Sequence, residues 1–359
     1  MRRVVRCKEG RTRVSVQKAS RTTIRDIAER AGVSKGAVSY ALNGRPGVSD
    51  STRERILSIA DELGWYPNRA ARALSAARAD ACGLVLARPA RTLALEPFFM
   101  EFIAGVEVEL SSRSVALTLQ LVENTREEIA VYRRWWGEHR VDGVLMVDLR
   151  TDDPRVDELV RLGLPTVVVG GPLEKRVLPA VFHDEASVVV EAVQYLAALG
   201  HTRIAHVTGV SEFVHTGQRS AAFERATSEL GVHADILETD YSAESGARAT
   251  RRLLSLPEPP TAIVFDSDLL AVTGLGVAQR MGFTVPDDVS IVGWDDSLIS
   301  QVVHPPLTAI TRDLTGFGAT AARHLLAAID GDAGSDVQTV RGELTVRGST
   351  APPRRAPRS

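Results

Sequence analysis

Cysteine is nearly absent from this 359-residue chain: Cys7 and Cys82 support neither a disulfide framework nor a zinc site. The eight histidines show no metal-ligand spacing, and no metal or other cofactor is expected. No Gly-x-Ser-x-Gly elbow occurs, and Gly274-Leu275-Gly276 lacks the third glycine of a dinucleotide fingerprint and falls within a predicted helix rather than after a strand. Together these absences argue against an enzyme. Met1 to Ser20 is basic and polar with no apolar export segment, which counts against an exported solute receptor and predicts a cytoplasmic protein with no membrane partner. Aromatic residues make up only 5% of the chain, so an aromatic placed at a strand end carries more weight than usual.

The overall formal charge of −2 hides a strong asymmetry. Residues 1 to 79 hold 17 Lys and Arg against 7 Asp and Glu, whereas residues 80 to 359 hold 26 against 38. A basic end on an acidic body is the electrostatic signature of a nucleic-acid-binding head. That end also carries a helical pattern. Thr23 with Asp26 three residues later marks a helix start; Ile24, Ile27, Ala28 and Ala31 fall on one face, and Gly32 stops the helix. Ser34 caps a second helix with Val38, Ala41 and Leu42 inward and Lys35, Gly36, Ser39 and Tyr40 outward, ended by Asn43-Gly44. Ile56, Ile59, Ala60 and Leu63 mark a third, ended by Gly64. Two short helices joined by a Gly-Val-Ser turn, with a third beside them, make a helix-turn-helix whose second helix fits a major groove. The alternative, a three-helix packing unit with a solvated polar face, is disfavoured by the charge.

From Cys82 onward the pattern changes. Gly83 to Ala87, Val115 to Leu121, Gly143 to Val147, Thr166 to Val169, Ile204 to Val207, Ala262 to Phe265 and Ser290 to Gly293 are short apolar runs of the kind that form buried parallel strands. Helical stretches such as Phe102 to Leu110, Ala186 to Leu199, Ala221 to Leu230 and Leu269 to Met281 lie between them. The alternation predicts an α/β doubly wound architecture, and about 280 residues exceed what one core accommodates, so two subdomains are expected. Ligands of such sheets bind beyond the carboxyl ends of the strands. Phe98, Phe99, Tyr241 and Trp294 follow or end strands and can stack on a sugar or a base. Arg219, read as opening the helix after the Ile204 strand, and Asp295, ending the Ser290 strand, point the same way. Asp148, Asp184 and the Ser267-Asp268 pair are second-rank candidates, and for any single aromatic the plainer reading is core packing. His201, in a turn before a strand, reads as structural.

Several segments resemble the LacI/GalR family of bacterial transcription regulators: Asp26-Ile27-Ala28, Ala31-Gly32-Val33-Ser34, Val38-Ser39, Leu42-Asn43-Gly44, Tyr66 through Leu74, Leu199-Gly200-His201, Pro286 through Asp296 and Pro305-Pro306-Leu307-Thr308. The resemblance runs from about Thr22 to about Arg347. It implies an N-terminal all-α helix-turn-helix followed by two doubly wound parallel-sheet subdomains resembling a type I periplasmic binding protein, with the chain crossing near Phe182, near Pro305 and near the C-terminus. The expected division is a basic, disordered extension at 1–20, the helix-turn-helix at 21–67, a hinge helix and linker at 68–79, an effector-binding and dimerisation domain at 80–350, and a tail at 351–359. Within the large domain, one subdomain takes about 81–182 and 310–340, the other about 183–307 with the last strand. The basic extension reads either as a phosphate-contacting arm or as an over-extended start.

On this reading the protein is a homodimeric repressor that binds a pseudo-palindromic DNA operator under control of a small molecule, a sugar, held between the subdomains. A nucleoside or other metabolite is the alternative effector. Thr23, Ser34, Lys35, Gly36, Ser39, Tyr40 and Asn43 face DNA, joined by Asn68, Ala71 and Leu74 of a hinge helix too short to be stable alone, Leu74 wedging between base steps. Gly36 and Tyr40 depart from the side chains common in relatives, so an operator sequence cannot be copied from one. Phe98, Phe99, Asp148, Arg219, Tyr241, Ser267, Trp294 and Asp295 form the effector site, and Phe213 stands where some purine-binding relatives carry Arg.

Overall fold

A computed structural model describes residues 22–65, 78–90, 96–173, 175–332 and 334–354, which fall into two compact units on either side of the segment 66–77. The hinge residues Asn68, Ala71 and Leu74, the extension 1–20 and the end of the tail lie outside the described residues.

The first unit has helices α1 (Ile24–Ala31), α2 (Lys35–Leu42) and α3 (Asp50–Glu62). The Asp26 carboxylate accepts from the Thr23 backbone N–H at 2.7 Å and its hydroxyl at 2.8 Å, tying off the start of α1. Those bonds hold the carboxyl below its ordinary value. Gly32 closes α1 at φ 65°, a conformation that favours glycine. Ser34 Oγ then accepts from Ala37 N at 3.1 Å and starts α2. Ile27, Ala28, Ala31, Val38, Ala41, Ile56 and Ala60 form the core.

The second unit holds two six-stranded sheets. The first has strand order β11-β5-β4-β3-β1-β2, with β1 at Ala81–Leu86, β2 at Ala116–Leu121, β3 at Gly143–Met146, β4 at Thr166–Val169, β5 at Ala180–Phe182 and β11 at Val337–Gln338. The second has order β12-β10-β9-β8-β6-β7, with β6 at Arg203–Thr208, β7 at His233–Glu238, β8 at Ala262–Phe265, β9 at Ser290–Asp295, β10 at Thr308–Thr311 and β12 at Glu343–Thr345. Among the described residues, every strand pairing within the two sheets is parallel except that of β10 with β12. Helices α4 (Pro97–Ser112), α5 (Thr125–Gly137) and α6 (Pro154–Leu162) connect the first sheet. Helices α7 (Glu185–Ala198), α8 (Val214–Glu229), α9 (Ala243–Leu254), α10 (Asp268–Arg280) and α11 (Leu298–Val302) serve the second, and α12 (Leu314–Ile329) returns to pack on α4. Each sheet has an apolar cluster on either face.

Two expectations need correction. The second crossing lies at Arg312-Asp313, not near Pro305, because β10 at Thr308–Thr311 pairs with β9 and so still belongs to the second sheet. Helix α8 starts at Val214, which puts Arg219 in its second turn rather than at its start. Val214, Thr216 and Gly217 are poor helix formers, and tertiary packing overrides them there.

Candidate functional site

In the first unit, α2 exposes Lys35 and Gly36 to solvent, with Tyr40 at 45% exposure. Asn43 Nδ2 donates to the Ser39 carbonyl at 2.8 Å, closing the helix end beneath that face. Thr23 and Ser34 are also exposed, but their hydroxyls serve as helix caps, so of the expected DNA-facing set Lys35, Gly36, Ser39, Tyr40 and Asn43 form the surface of α2 itself.

In the second unit the carboxyl ends of both sheets meet in a cleft whose remaining cavity is about 60 Å³. Phe98, Phe99, Asp148, Arg219, Tyr241 and Asp295 all line it. Trp294 and Ser267 do not, correcting two expected site residues. Trp294, fully buried in β9, lies beneath the Arg219 guanidinium at 4.0 Å from ring centroid, because strand alternation turns it away while Asp295 faces the cleft. Ser267 caps α10 by accepting from Leu270 N at 3.3 Å. Asp184 likewise caps α7, accepting from Ser187 N, and Asp268 accepts from Trp294 N and Ser297 N. His201 bonds Thr261 and the Ala351 carbonyl.

Three arginines organise the cleft. Arg88, two residues beyond β1, grips Asp148 with Nε at 2.8 Å and Nη2 at 2.9 Å, reaches Glu96 at 3.3 Å, and lies about 5 Å from the ring centroids of Phe99, Phe213 and Tyr241. Burial opposes its charge, but Asp148 and Glu96 outweigh burial and raise its pKa. Arg219 Nε donates to Glu185 at 2.8 Å, and its Nη1 donates to the Asp266 carbonyl at 3.2 Å. Arg312, on the crossover after β10, donates to Asp295 at 2.7 Å through Nε and to Glu185 at 2.9 Å. Glu185 is buried, which would raise its carboxyl, yet Arg219 and Arg312 hold it well below the ordinary range. His206 Nε2 meets Asp266 at 2.9 Å beneath the floor. Asp148, Tyr241 and Asp295 have φ of 53°, 64° and 77°, strained conformations for non-glycine residues that gather at ligand sites.

Arg88, Glu96, Glu185, Asp266 and Arg312 were not among the expected site residues. Glu185 and Arg312 stand within three residues of the ends of β5 and β10, so the same strand-end rule finds them once those short strands are recognised, and Asp266 directly follows the Ala262–Phe265 run that the sequence already marks as a strand.

The two lobes also touch at the backbone. Thr151 N donates to the Glu212 carbonyl at 3.1 Å and Val214 N to the Leu149 carbonyl at 2.8 Å, an antiparallel bridge between Arg150 and Phe213. Arg150 and Glu212 pair across it.

The sequence of residues 23–68 matches the bacterial regulatory proteins of the lacI family, and residues 193–350 match a periplasmic binding protein-like domain. The HTH-type transcriptional regulator CelR of Thermobifida fusca is 33% identical over 330 residues, covering 90% of this chain and 97% of CelR. The chain belongs to the lacI family. The solved structure of a CelR–cellobiose complex superposes with a TM-score of 0.70 at 32% identity, covering 92% of this chain and 100% of that one. A lac repressor dimer bound to operator and the anti-inducer ONPF does so at 0.82 and 25%, covering 92% and 99%. This lacI-family chain is accordingly a ligand-controlled, DNA-binding transcription regulator and not an enzyme.

Proposed function

We propose that this lacI-family protein is a repressor that binds a pseudo-palindromic operator as a homodimer and responds to a sugar bound in the interlobe cleft. The observation that carries the sugar assignment is the pairing of Phe98, Phe99 and Tyr241 with a dense set of carboxylates and guanidiniums, apolar ring faces beside hydrogen-bonding groups. The CelR–cellobiose complex supports it. Lys35, Ser39, Tyr40 and Asn43 on α2 supply the major-groove surface, with Thr23 and Ser34 at the helix starts reaching phosphates. The hinge residues Asn68, Ala71 and Leu74 belong to this reading by sequence alone. Dimerisation uses outward apolar side chains, Met100 and Val108 of α4 at 59% and 66% exposure and Leu298 and Val302 of α11 at 73% and 69%, covered by a second copy. A cytoplasmic location follows from binding chromosomal DNA.

The test is to select operator sequences with the full chain from random DNA, then titrate the complex with neutral sugars by fluorescence anisotropy. A two-fold symmetric site released by one of those sugars is expected. A site without symmetry argues against the dimer, and release only by nucleosides argues against the sugar.

A further inference from the structure

The cleft carries more carboxylate than cation. Among its described lining residues, Arg88, Arg219 and Arg312 face Glu96, Asp148, Glu185, Asp266 and Asp295. Its two histidines add no charge, since burial and a nearby arginine, Arg312 for His183 and Arg219 for His215, lower both to about 4. Each guanidinium is already committed to carboxylates: Arg88 to Asp148 and Glu96, Arg219 to Glu185 and Asp266, Arg312 to Asp295 and Glu185. A ligand anion would therefore meet no uncommitted arginine among these residues and would lie against like charge in a desolvated site.

The groups left over accept hydrogen bonds. Arg312 engages Asp295 through Oδ1, leaving Oδ2 as an acceptor, and Arg88 engages Glu96 through Oε2, leaving Oε1 to accept when the carboxylate is ionised. His183, buried against Phe317 with 4.1 Å between ring centroids, points to the same chemistry. Thr339 donates its hydroxyl proton to the Phe182 carbonyl, so it accepts from His183 Nδ1 at 2.8 Å, and the Val340 carbonyl accepts there too. The Phe182 and Val340 carbonyls can only accept, so all three contacts are satisfied together in the tautomer with the proton on Nδ1; in that tautomer Nε2, which is buried and finds no partner among the described residues, presents a lone pair.

We propose that the cleft recognises an uncharged polyol through acceptors that include His183 Nε2, and that it rejects the phosphorylated or carboxylated form of the same compound. This rests on the cleft being the sugar site. The test takes the full chain and neutral mono- and disaccharides, each beside its 6-phosphate or uronate, and measures dissociation constants by calorimetry. Any neutral sugar that binds is expected to lose at least tenfold in affinity on phosphorylation, and Glu96→Gln is expected to narrow that gap. A phosphate or uronate that binds as tightly as its neutral parent overturns the proposal while leaving a sugar site in place; binding by no sugar of either kind removes the sugar reading itself, and the proposal with it. A His183→Phe variant, which keeps an aromatic ring on Phe317 but has no acceptor, is expected to bind the neutral sugar at least fivefold more weakly with little change in melting temperature. Unchanged affinity would remove His183 from the proposal.

Discussion

Glu96 is pushed up to about 7 by burial, with Asp148 and Asp295 acting in the same direction and Arg88 opposing. A carboxyl raised in the fold contributes stability that is present in full below its ordinary value of 4.5 and is lost as pH climbs through 7. Glu96→Gln should therefore be about 1–3 kcal/mol more stable than the parent at pH 8 and nearly equal to it at pH 5. Urea denaturation at the two pH values measures this, and an offset that does not change with pH contradicts the burial argument. Asp268, raised to about 7 by burial and Asp295, gives the parent a similar slope that the variant retains. On the DNA-facing unit, Lys35→Ala should weaken operator binding by roughly 1–3 kcal/mol and relax preference at one base pair of each half-site; a uniform loss across sequences, with a salt slope shallower by about one, would reassign Lys35 to a phosphate. Lys35 was legible from sequence because an outward lysine on a capped helix needs only local periodicity. Glu96 was not, since its importance depends on Asp148, some 50 residues away, and on Asp295 in the other lobe.

Local signals were strongest for elements that satisfy themselves. The caps of α1 and α2 could be read directly because Thr23, Asp26, Gly32 and Ser34 bond to their own backbone neighbours. Strand β5 is not legible because Ala-Val-Phe is too short a run to stand out, and β10 because Thr-Ala-Ile-Thr holds only two apolar residues, where the equally short β3, β4 and β8 hold three or four; the strand character of both comes from the sheets they join. Edge strand β7, half-exposed along its length, lacks the continuous apolar run of β8. The packing of α12 on α4 was equally invisible. A Cβ on Gly318 would lie 2.1 Å from the Phe102 carbonyl oxygen, and one on Gly105 1.9 Å from that of Thr315, so the two helices meet backbone to backbone. Helix propensity alone would have Gly318→Ala gain about 1 kcal/mol, whereas the clash should cost about 1–3 kcal/mol or more. Because the two arguments differ in sign, one chemical denaturation of the full chain decides between them, and a stabilised variant would refute the close approach.

At the scale of the whole effector unit, the lobes are linked by three crossings, one beyond β5, one at Arg312-Asp313 and one between β11 and β12, and by the backbone bridge of Leu149–Thr151 with Glu212–Val214. The alternation of strands and helices made two subdomains legible, but nothing local marks the bridge, whose halves are some 60 residues apart. It lies immediately beyond Asp148 and before His215, both cleft-lining, and a cavity of about 60 Å³ is small beside the several hundred Å³ typical of a small-molecule pocket. Ligand entry therefore requires the lobes to part, and the bridge opposes that parting. Val214→Pro tests this with little side effect: Val214 is the first residue of α8, where proline suits the helix, and Phe213 before it has φ −79° and ψ 133°, an extended conformation that proline tolerates. The variant loses the Val214 N–H bond to the Leu149 carbonyl, worth about 0.5–1.5 kcal/mol, together with part of the Val214 side-chain packing on the apolar cluster that holds Leu149, so the open population should rise roughly two- to tenfold or more. Stopped-flow binding of the cleft's ligand should then show association and dissociation both faster by that factor, with the melting temperature shifted by only a few degrees. Rates equal to the parent's would mean that the bridge does not hold the cleft shut and that the arginines, moving alone, admit the ligand.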